Sequence, residues 1–323
     1  MINPESSFLG VRFIGSGSAV PDRVLTNIDL AQMVDTTDEW IASRTGIHER
    51  HIADGEQDSV ANLAAKAAQK AIANAGLTSQ DIDLIILATS TGDDLFGTAG
   101  RVQKILGAER AVAFDLVAAC SGFVFGLVTA SQYIQTGVYK NVLLIGADVL
   151  SRWVDWQDRR TCILFGDGAG AVVLQAGSQN NLLGFEMRSD GKGNDLLNIN
   201  YSGRSTFEPI SMNGQEVYRF AVRRVPEVIE KSLHYANLEV HDLDWLILHQ
   251  ANQRIIDAVV NRFGIDPAKA VSNMGKYGNT SAASIPIALD EWVQAGKIQS
   301  DHVIAIAGFG AGLSWGSAVL RWG

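Results

Sequence analysis

Residues 111–128 read AVAFDLVAACSGFVFGLV and join two apolar runs of different character at a single cysteine. The run before Cys120 has the length of a buried strand, and the run after it is long enough for a helix that is apolar on every side. A thiol at this junction would lie on the first turn of a buried helix, where the helix end favours the nucleophilic thiolate. A lone cysteine is more commonly a small core residue, so residues further along the chain must decide between these interpretations.

The composition is that of a compact globular protein. Of 323 residues, 47% are hydrophobic and 19% charged, which suits one large domain or two closely joined domains. Only 2 cysteines are present, which excludes a disulfide framework, and the net charge of −9 argues against nucleic acid as a general partner. Residues 1–7 lack the regions of a signal peptide, and no apolar stretch is long enough to cross a bilayer. We therefore expect a soluble, cytoplasmic protein with no membrane partner.

Short apolar runs alternate with alanine-rich segments of helical length. Beyond residues 111–119, strands are predicted at 84–89, 142–147, 169–174, 245–248, 303–307 and 316–320. Helices are predicted at 59–75, 120–136, 216–236, 252–263 and 280–295. Such alternation with continuous apolar strands predicts an α/β fold whose sheets are of the parallel type and buried on both faces.

The order of elements repeats in outline along the chain. Each half contains a helix, a strand that runs to a polar residue, another helix and a closing pair of strands with glycine-rich turns, at 165–170 and 308–312. The polar stretch 177–181 is the best junction between the halves. We predict two similar α/β halves, residues 1–178 and 179–323, packed face to face.

Two further polar sites follow predicted strands. The strand at 245–248 runs directly into His249, and Asn279 follows a glycine just before a predicted helix. His249 could be a hydrogen-bonded histidine at a strand end, and Asn279 could simply cap the helix that follows it. Both positions also suit a site, because parallel strands deliver ligand-binding groups at their carboxyl ends.

Taken together, the three sites resemble the thiolase superfamily, and within it the β-ketoacyl-[acyl-carrier-protein] synthase III family, which starts type II fatty acid synthesis. The match extends in order over essentially the whole chain. The segments that carry it are 40–47, 118–123, 165–170, 249–252, 278–281 and 314–318. The resemblance implies a thiolase-like fold with a layered α-β-α-β-α core, Cys120 in the first half, and His249 and Asn279 in the second.

The resemblance also implies a chemistry. Cys120 would take an acyl group from a short-chain acyl-CoA, giving an acyl-enzyme, and His249 and Asn279 would donate hydrogen bonds to the enolate formed when malonyl-[acyl-carrier-protein] loses carbon dioxide. The backbone amides of Cys120 and Ala311 would form the oxyanion hole. Ala311 departs from the Gly-Gly-Gly loop of some relatives, which leaves the loop geometry open. CoA is a substrate here, and neither a cofactor nor a metal is expected.

Substrate and partner residues are implied by matched position. Residues of the CoA tunnel would be Thr36, Trp40, Arg44, Arg159, Met212, Gly214, Tyr218, Ala251 and Asn252. The docking site for the acidic carrier protein would include Arg219, Arg254 and Arg262, although each could equally belong to a solvated helix face. Phe96 would reach across a homodimer interface to cap the partner's acyl pocket, which would favour acetyl as primer. Trp40 could instead be a buried helix residue behind a Thr36/Glu39 capping box.

Three other functions share parts of this pattern. A related enzyme that loads starter units for polyketide or signal-molecule synthesis would carry the same Cys, His and Asn, because pocket shape distinguishes the two. A degradative thiolase needs a second cysteine near the carboxyl end, and Cys162 is not placed there. A non-enzymatic acyl-binding partner would keep the fold and lose the nucleophile, and the intact Cys120 argues against it.

Overall fold

The computed structural model describes residues 8–203 and 206–323, so residues 1–7, on which the expectation of no signal peptide depends, lie outside the described part. The strands are β1 (Gly10–Ala19), β2 (Val24–Thr26), β3 (Glu49–His51), β4 (Leu84–Ala88), β5 (Val112–Leu116), β6 (Asn141–Val149), β7 (Asp167–Gly177), β8 (Leu182–Ser189), β9 (Leu197–Asn198), β10 (Ser211–Met212), β11 (Trp245–Leu248), β12 (Val303–Gly310) and β13 (Ser314–Arg321). The helices are α1 (Asn27–Leu30), α2 (Asp38–Thr45), α3 (Val60–Asn74), α4 (Ala99–Leu106), α5 (Gly122–Gln135), α6 (Gly214–Ala236), α7 (Gln253–Phe263), α8 (Met274–Tyr277) and α9 (Ser284–Gln294).

Two mixed sheets form the framework. The first is five-stranded, in the order β1-β7-β6-β4-β5, and the second is four-stranded, in the order β11-β12-β13-β8. β4 pairs in parallel with β5 and β6, and β11 pairs in parallel with β12. The first sheet takes its strands from residues 10–177 and the second from residues 182–321.

The prediction of parallel-type sheets is wrong for the pairings of β7 and β13. β7 runs antiparallel to both β1 and β6, and β13 runs antiparallel to both β12 and β8. Only residues 311–313 join β12 to β13, and a parallel crossover requires a dozen or more residues. These strands read as parallel because both faces of their sheets are covered by helices, which makes them continuously apolar.

The layers alternate between helices and sheets. α3 and α4 cover the outer face of the first sheet, and α6 and α7 cover the outer face of the second. Between the sheets lie α5 and α9, which share one apolar core with strands of both. Within β4, Leu84 and Ile86 face this central core while Ile85 and Leu87 face α3, as the alternation of side chains along a strand requires. The predicted α-β-α-β-α layering is confirmed.

Helix α5 is apolar on all sides over its first two turns because these turns are buried between the two sheets. Phe123, Val124 and Leu127 pack into the core shared by both sheets. The predicted helix boundaries agree with the structure to within a few residues, except that α9 begins at Ser284 and the three residues before it form a 3-10 turn. No helix in the described ranges is long and apolar enough to cross a membrane.

Candidate active site

Cys120 lies in the 3-10 turn Ala119–Ser121, between the end of β5 and the start of α5. Ala119 has a φ of 46°, a left-handed conformation that is uncommon for alanine and that bends the chain sharply into the helix. The turn packs directly against β12, where a Cβ added to Gly310 would lie 2.8 Å from the Cys120 backbone nitrogen. Strand β12 of the second sheet therefore contacts the backbone of the candidate nucleophile at Gly310, where only glycine fits.

The thiol of Cys120 is neutral in this resting site. Cys120 is only 7% exposed, and burial raises the pKa of its thiol to about 12. Loss of solvation of the charged sulfur therefore favours the neutral thiol, which opposes the effect expected of the helix end.

His249 follows β11 and is also buried, with an exposure of 2%. Its Nδ1 lies 2.7 Å from the hydroxyl of Ser284, and its ring packs edge-on against Phe309 with centroids 5.2 Å apart. Burial lowers the pKa of His249 to about 3, so the imidazole is neutral. A neutral ring carries one proton and can donate one hydrogen bond from one of its nitrogens.

Asn279 has its side-chain orientation fixed by its neighbours. The backbone N–H of Ser281 donates to Asn279 Oδ1 at 2.9 Å, which leaves the amide Nδ2 as the free donor. Its backbone pairs with the segment at Phe165, because Asn279 N–H donates to Leu164 O at 2.8 Å and Gly166 N–H donates to Asn279 O at 3.0 Å. The bond to Ser281 resembles a cap, so the helix-cap interpretation and the site interpretation are both compatible with this geometry.

A cavity of about 710 Å³ opens beside Cys120. Its wall includes Cys120, Ser281 and Ala311, together with apolar side chains from the surrounding loops: Val117, Phe125, Leu150, Phe165, Leu197, Ile199, Ile210 and Leu313. His249 and Asn279 are not among the residues of this wall; His249 packs against Phe309, and Asn279 pairs through its backbone with Phe165, which is a wall residue. In the described chain no direct hydrogen bond joins the side chains of Cys120, His249 and Asn279.

The loop of Ala311 is tied to the turn of Cys120 by two serines that sequence analysis did not single out. The hydroxyls of Ser121 and Ser314 lie 2.6 Å apart, and that of Ser314 also donates to Ala311 O at 3.1 Å. Both serines stand within segments that carry the family resemblance, which is the signal that could have identified them. Their bond holds the two backbone segments of the expected oxyanion hole side by side.

Trp40 is flanked by the two arginines expected beside it. The guanidinium carbons of Arg44 and Arg159 lie 4.6 Å and 4.9 Å from the Trp40 ring centroid, within the range of cation–π attraction. The capping-box interpretation at Thr36 is wrong, because the residue that caps α2 is Thr37, whose hydroxyl accepts the Trp40 N–H at 3.1 Å. The hydroxyl of Thr36 is buried without a hydrogen-bond partner.

Helices α2 and α7 are joined beside this aromatic site. Asn252 caps α7 by accepting the Arg254 N–H at 2.9 Å and donates from Nδ2 to Arg44 O at 3.1 Å. The guanidinium of Arg254 donates to Ser43 O at 3.0 Å. Ala251 directly precedes this cap. Met212 lies in β10, and Gly214 and Tyr218 lie in the first turns of α6.

The remaining expected residues lie on the surface. Arg219 and Arg262 form ion pairs with Glu216 and Glu230. Phe96 is fully exposed and lines a second cavity, of about 770 Å³, which shares Val117 with the cavity beside Cys120. No group of three His, Cys, Asp or Glu side chains suited to a metal ion occurs in the described part of the chain.

Comparison with known proteins identifies the family. Models of 3-oxoacyl-[acyl-carrier-protein] synthase III match residues 114–191, and of its C-terminal region residues 233–322. The chain is 61% identical to a β-ketoacyl-[acyl-carrier-protein] synthase III of Nostoc sp., covering 98% of this chain and 99% of the relative, and 59% identical to that of Synechocystis sp., covering 97% and 98%.

Solved structures agree with this identification. The 3-oxoacyl-[acyl-carrier-protein] synthase III of Aquifex aeolicus superposes with a TM-score of 0.93 at 45% identity, covering 97% of this chain and 100% of that one. The priming β-ketosynthase of the R1128 polyketide pathway superposes with a TM-score of 0.94 at 32% identity, covering 99% and 98%. These structures confirm the expected thiolase-like fold. The chain belongs to the β-ketoacyl-[acyl-carrier-protein] synthase III family.

Proposed function

We propose that this enzyme condenses a short-chain acyl-CoA, with acetyl-CoA as the first candidate, with malonyl-[acyl-carrier-protein] and so initiates type II fatty acid synthesis. The products are a 3-oxoacyl-[acyl-carrier-protein], CoA and carbon dioxide. The observation that carries this proposal is the position of Cys120 in the wall of an apolar cavity, in a chain that matches condensing enzymes along its whole length. The cavity offers an acyl group a place to lie beside the thiol.

The first half-reaction transfers the acyl group to Cys120. A bond forms between Sγ and the acyl carbon, the bond to the CoA sulfur breaks, and the thiol proton passes to that departing sulfur. Because the thiol and the imidazole of His249 are both neutral at rest, this exchange of one thioester for another creates no lasting buried charge. The carbonyl oxygen would be held by the backbone amides of Cys120 and Ala311.

The second half-reaction requires donors for the enolate that decarboxylation produces. Asn279 supplies its Nδ2, since its Oδ1 already accepts from Ser281. Ser284 Oγ accepts from the backbone N–H of Gln250 at 3.3 Å, so its own proton is available to His249 Nδ1, which leaves Nε2 protonated and able to donate. The enolate carbon then attacks the acyl carbonyl on Cys120, and release of carbon dioxide draws the reaction forward.

The CoA substrate would bind along the residues of the expected tunnel. Trp40 offers a face to the adenine ring, and Arg44 and Arg159 lie close enough to it to meet the phosphates. One guanidinium must leave the Trp40 ring when a base stacks on it. The unpartnered hydroxyl of Thr36 lies on the same segment. The pantetheine arm would then pass the remaining tunnel residues, Met212, Gly214, Tyr218, Ala251 and Asn252.

The acidic carrier protein would dock near the ends of α6 and α7. Arg254 bridges α7 to α2, while Arg219 and Arg262 are exposed and paired with single glutamates. Surface ion pairs of this kind contribute about 0–1 kcal/mol, so a carrier protein can replace the glutamates at low cost. Its negative charge would be steered to a basic patch on an enzyme that is acidic overall.

A second copy of the chain is the proposed partner at the edge of the first sheet. β5 is an edge strand with partly exposed residues, and Leu95, Phe96 and Val117 beside it are 93%, 102% and 75% exposed. Large apolar side chains in such a patch mark an interaction surface. In a homodimer Phe96 would close the partner's acyl pocket. We further propose a cytoplasmic enzyme that needs no metal or cofactor, built from halves 1–178 and 179–323.

The function is tested by labelling with radioactive acetyl-CoA followed by peptide mapping. We expect one acetyl group on Cys120, loss of labelling in Cys120→Ser and full labelling in Cys162→Ser, a matched control on the other buried cysteine. Stoichiometric labelling of Cys120→Ser would contradict the assignment.

A primer panel separates fatty acid initiation from polyketide starter loading. The panel runs from acetyl through branched and medium-chain acyl-CoA, each assayed with malonyl-[acyl-carrier-protein]. A preference for acetyl supports the first function. A strong preference for long or unusual primers supports the second, which the likeness to a priming polyketide ketosynthase keeps open.

A further inference from the structure

Arg50 is a fully buried arginine that no step of the proposed function uses. It stands in the middle of β3, opposite Leu25 of β2. Its Nη1 donates to Leu25 O at 3.1 Å and its Nη2 donates to Ile163 O at 2.8 Å, while Nε has no hydrogen-bond partner within the described chain. Arginine is almost never fully buried unless it is paired, and both acceptors here are neutral carbonyls. The desolvation of this side chain is a cost that an apolar residue would avoid.

The carbonyl of Ile163 stands next in the chain to the carbonyl that binds Asn279. Leu164 O accepts the N–H of Asn279 at 2.8 Å, and Asn279 O in turn accepts the N–H of Gly166 at 3.0 Å. We call these two bonds the Asn279 bridge. Arg50 is bonded to one side of this bridge, and Asn279 is the other side.

The aliphatic stem of Arg50 packs against both sides of the Asn279 bridge. A Cβ added to Gly166 would lie 3.1 Å from Arg50 Cβ, and a Cβ added to Gly278 would lie 3.2 Å from the same atom. Gly278 directly precedes Asn279 and has a φ of 66°, so the chain turns sharply where the stem supports it. The stem and the guanidinium therefore act on the same short stretch of backbone.

The guanidinium is suited to hold two segments at once. Burial lowers the pKa of Arg50 to about 10, so the group remains a cation at neutral pH. Hydrogen bonds from a cation are stronger than those between neutral groups, and the planar fork reaches carbonyls on separate segments. Because Asn279 Oδ1 already accepts from Ser281, the backbone position of Asn279 decides where its free Nδ2 points.

We propose that Arg50 is a positioning residue for Asn279: its guanidinium fixes the Ile163 carbonyl and thereby the bridge that places the Nδ2 donor. The use of that donor in decarboxylation rests on the proposed function. The fixing of the bridge is a property of the free enzyme and is measurable without substrate.

The first measurement is amide hydrogen exchange of the free enzyme, resolved to single residues by mass spectrometry with fragmentation. Arg50→Met keeps an unbranched stem against the bridge and removes the charge and both donors. We expect the amides of Asn279 and Gly166 to exchange about tenfold faster, because the bridge opens more often. The amide of His249, which donates to β12 at 2.8 Å, should keep its rate.

The second measurement compares the two half-reactions. In Arg50→Met we expect carbon dioxide release from malonyl-[acyl-carrier-protein] to fall about ten- to hundredfold, because a displaced donor no longer meets the enolate, while acetylation of Cys120 stays within about threefold. The matched control is Ile72→Ala, a buried apolar residue of α3 on the outer face of the first sheet. It should lower the melting temperature and leave unchanged both the ratio of the half-reactions and the exchange at Asn279.

Unchanged exchange at the Asn279 bridge, unchanged decarboxylation, an equal fall in both half-reactions, or the same split in Ile72→Ala would each overturn the proposal. If Arg50→Met does not fold, Arg50→Lys decides in its place. A single ammonium lacks the fork that reaches both carbonyls, so the same two changes should appear at smaller size, and the absence of either would count against Arg50. If the unmodified enzyme releases no carbon dioxide from malonyl-[acyl-carrier-protein], the proposed function fails, and the exchange measurement alone then decides whether Arg50 positions Asn279.

Discussion

The substitution Asn279→Asp isolates the donor role of this side chain. Aspartate keeps the oxygen that accepts the Ser281 N–H at 2.9 Å, so the turn that follows retains its anchor. It replaces the free Nδ2 donor with a second acceptor, which carries negative charge towards the developing enolate. The variant therefore changes the chemistry of one atom while the local backbone geometry is preserved.

The expected magnitude follows from the loss of one donor to an oxyanion. Removal of such a donor costs about a hundred- to thousandfold in rate, and repulsion between carboxylate and enolate places Asn279→Asp towards the upper end. Acetyl transfer to Cys120 does not use the Asn279 donor and should stay within about threefold of the unmodified enzyme. The two half-reactions thus respond differently to the same change.

The assay measures the half-reactions separately. Acetylation of Cys120 is followed by mass spectrometry with acetyl-CoA alone, and decarboxylation by release of labelled carbon dioxide from malonyl-[acyl-carrier-protein]. Asn279→Ala serves for comparison, since it loses both the donor and the anchor of Ser281 and should also lower the melting temperature. Decarboxylation by Asn279→Asp within about threefold of normal, or loss of acetylation, would refute the role assigned to Asn279.

Three other substitutions test the surroundings of the site. Ser284→Ala frees the tautomer of His249, and we expect decarboxylation to fall about tenfold with acetylation retained, measured by the same two assays. Gly310→Ala places a Cβ 2.8 Å from the Cys120 nitrogen, so acetylation and melting temperature should both fall more than in Gly308→Ala, whose added Cβ lies 3.1 Å from its nearest neighbour. Between about pH 6.5 and 3, His249 binds a proton in the unfolded chain but not in the folded chain. The free energy of unfolding therefore decreases as the pH is lowered through this range. Denaturant titrations should show a flatter fall in His249→Gln.

Strands β4 and β11 were predictable because burial on both faces makes a strand continuously apolar. β4 and β11 are short, continuous apolar runs, and each was predicted to within a residue or so. β1 was not predicted; its second half, Gly15 to Ser18, consists of glycines and serines without a continuous apolar run. Those glycines serve contact with α3: a Cβ added to Gly15 or Gly17 would lie 2.4 Å from a carbonyl oxygen of that helix. The packing that requires them is long-range and leaves no local periodic signal.

The positions of the candidate site residues in the fold were predictable from the sequence, and their electrostatics were not. Cys120, His249 and Asn279 stand at ends of strands and starts of helices, where a sequence pattern can find them. The protonation state of Cys120 depends on how completely other segments enclose it. Neither the helix that follows Cys120 nor its neighbouring residues reveal that enclosure.

Burial of the thiol and of the imidazole has a common consequence for the reaction. A thiolate at rest would need a buried counter-charge, and His249 cannot supply one because burial lowers its pKa to about 3. A neutral pair avoids that cost and leaves the proton of Cys120 available to the departing sulfur of CoA. The acceptor of the proton therefore arrives with the substrate. An electrophile that brings no such acceptor, such as iodoacetamide, should react slowly with Cys120 at neutral pH, whereas under the proposed mechanism acetyl-CoA should acylate the same sulfur readily.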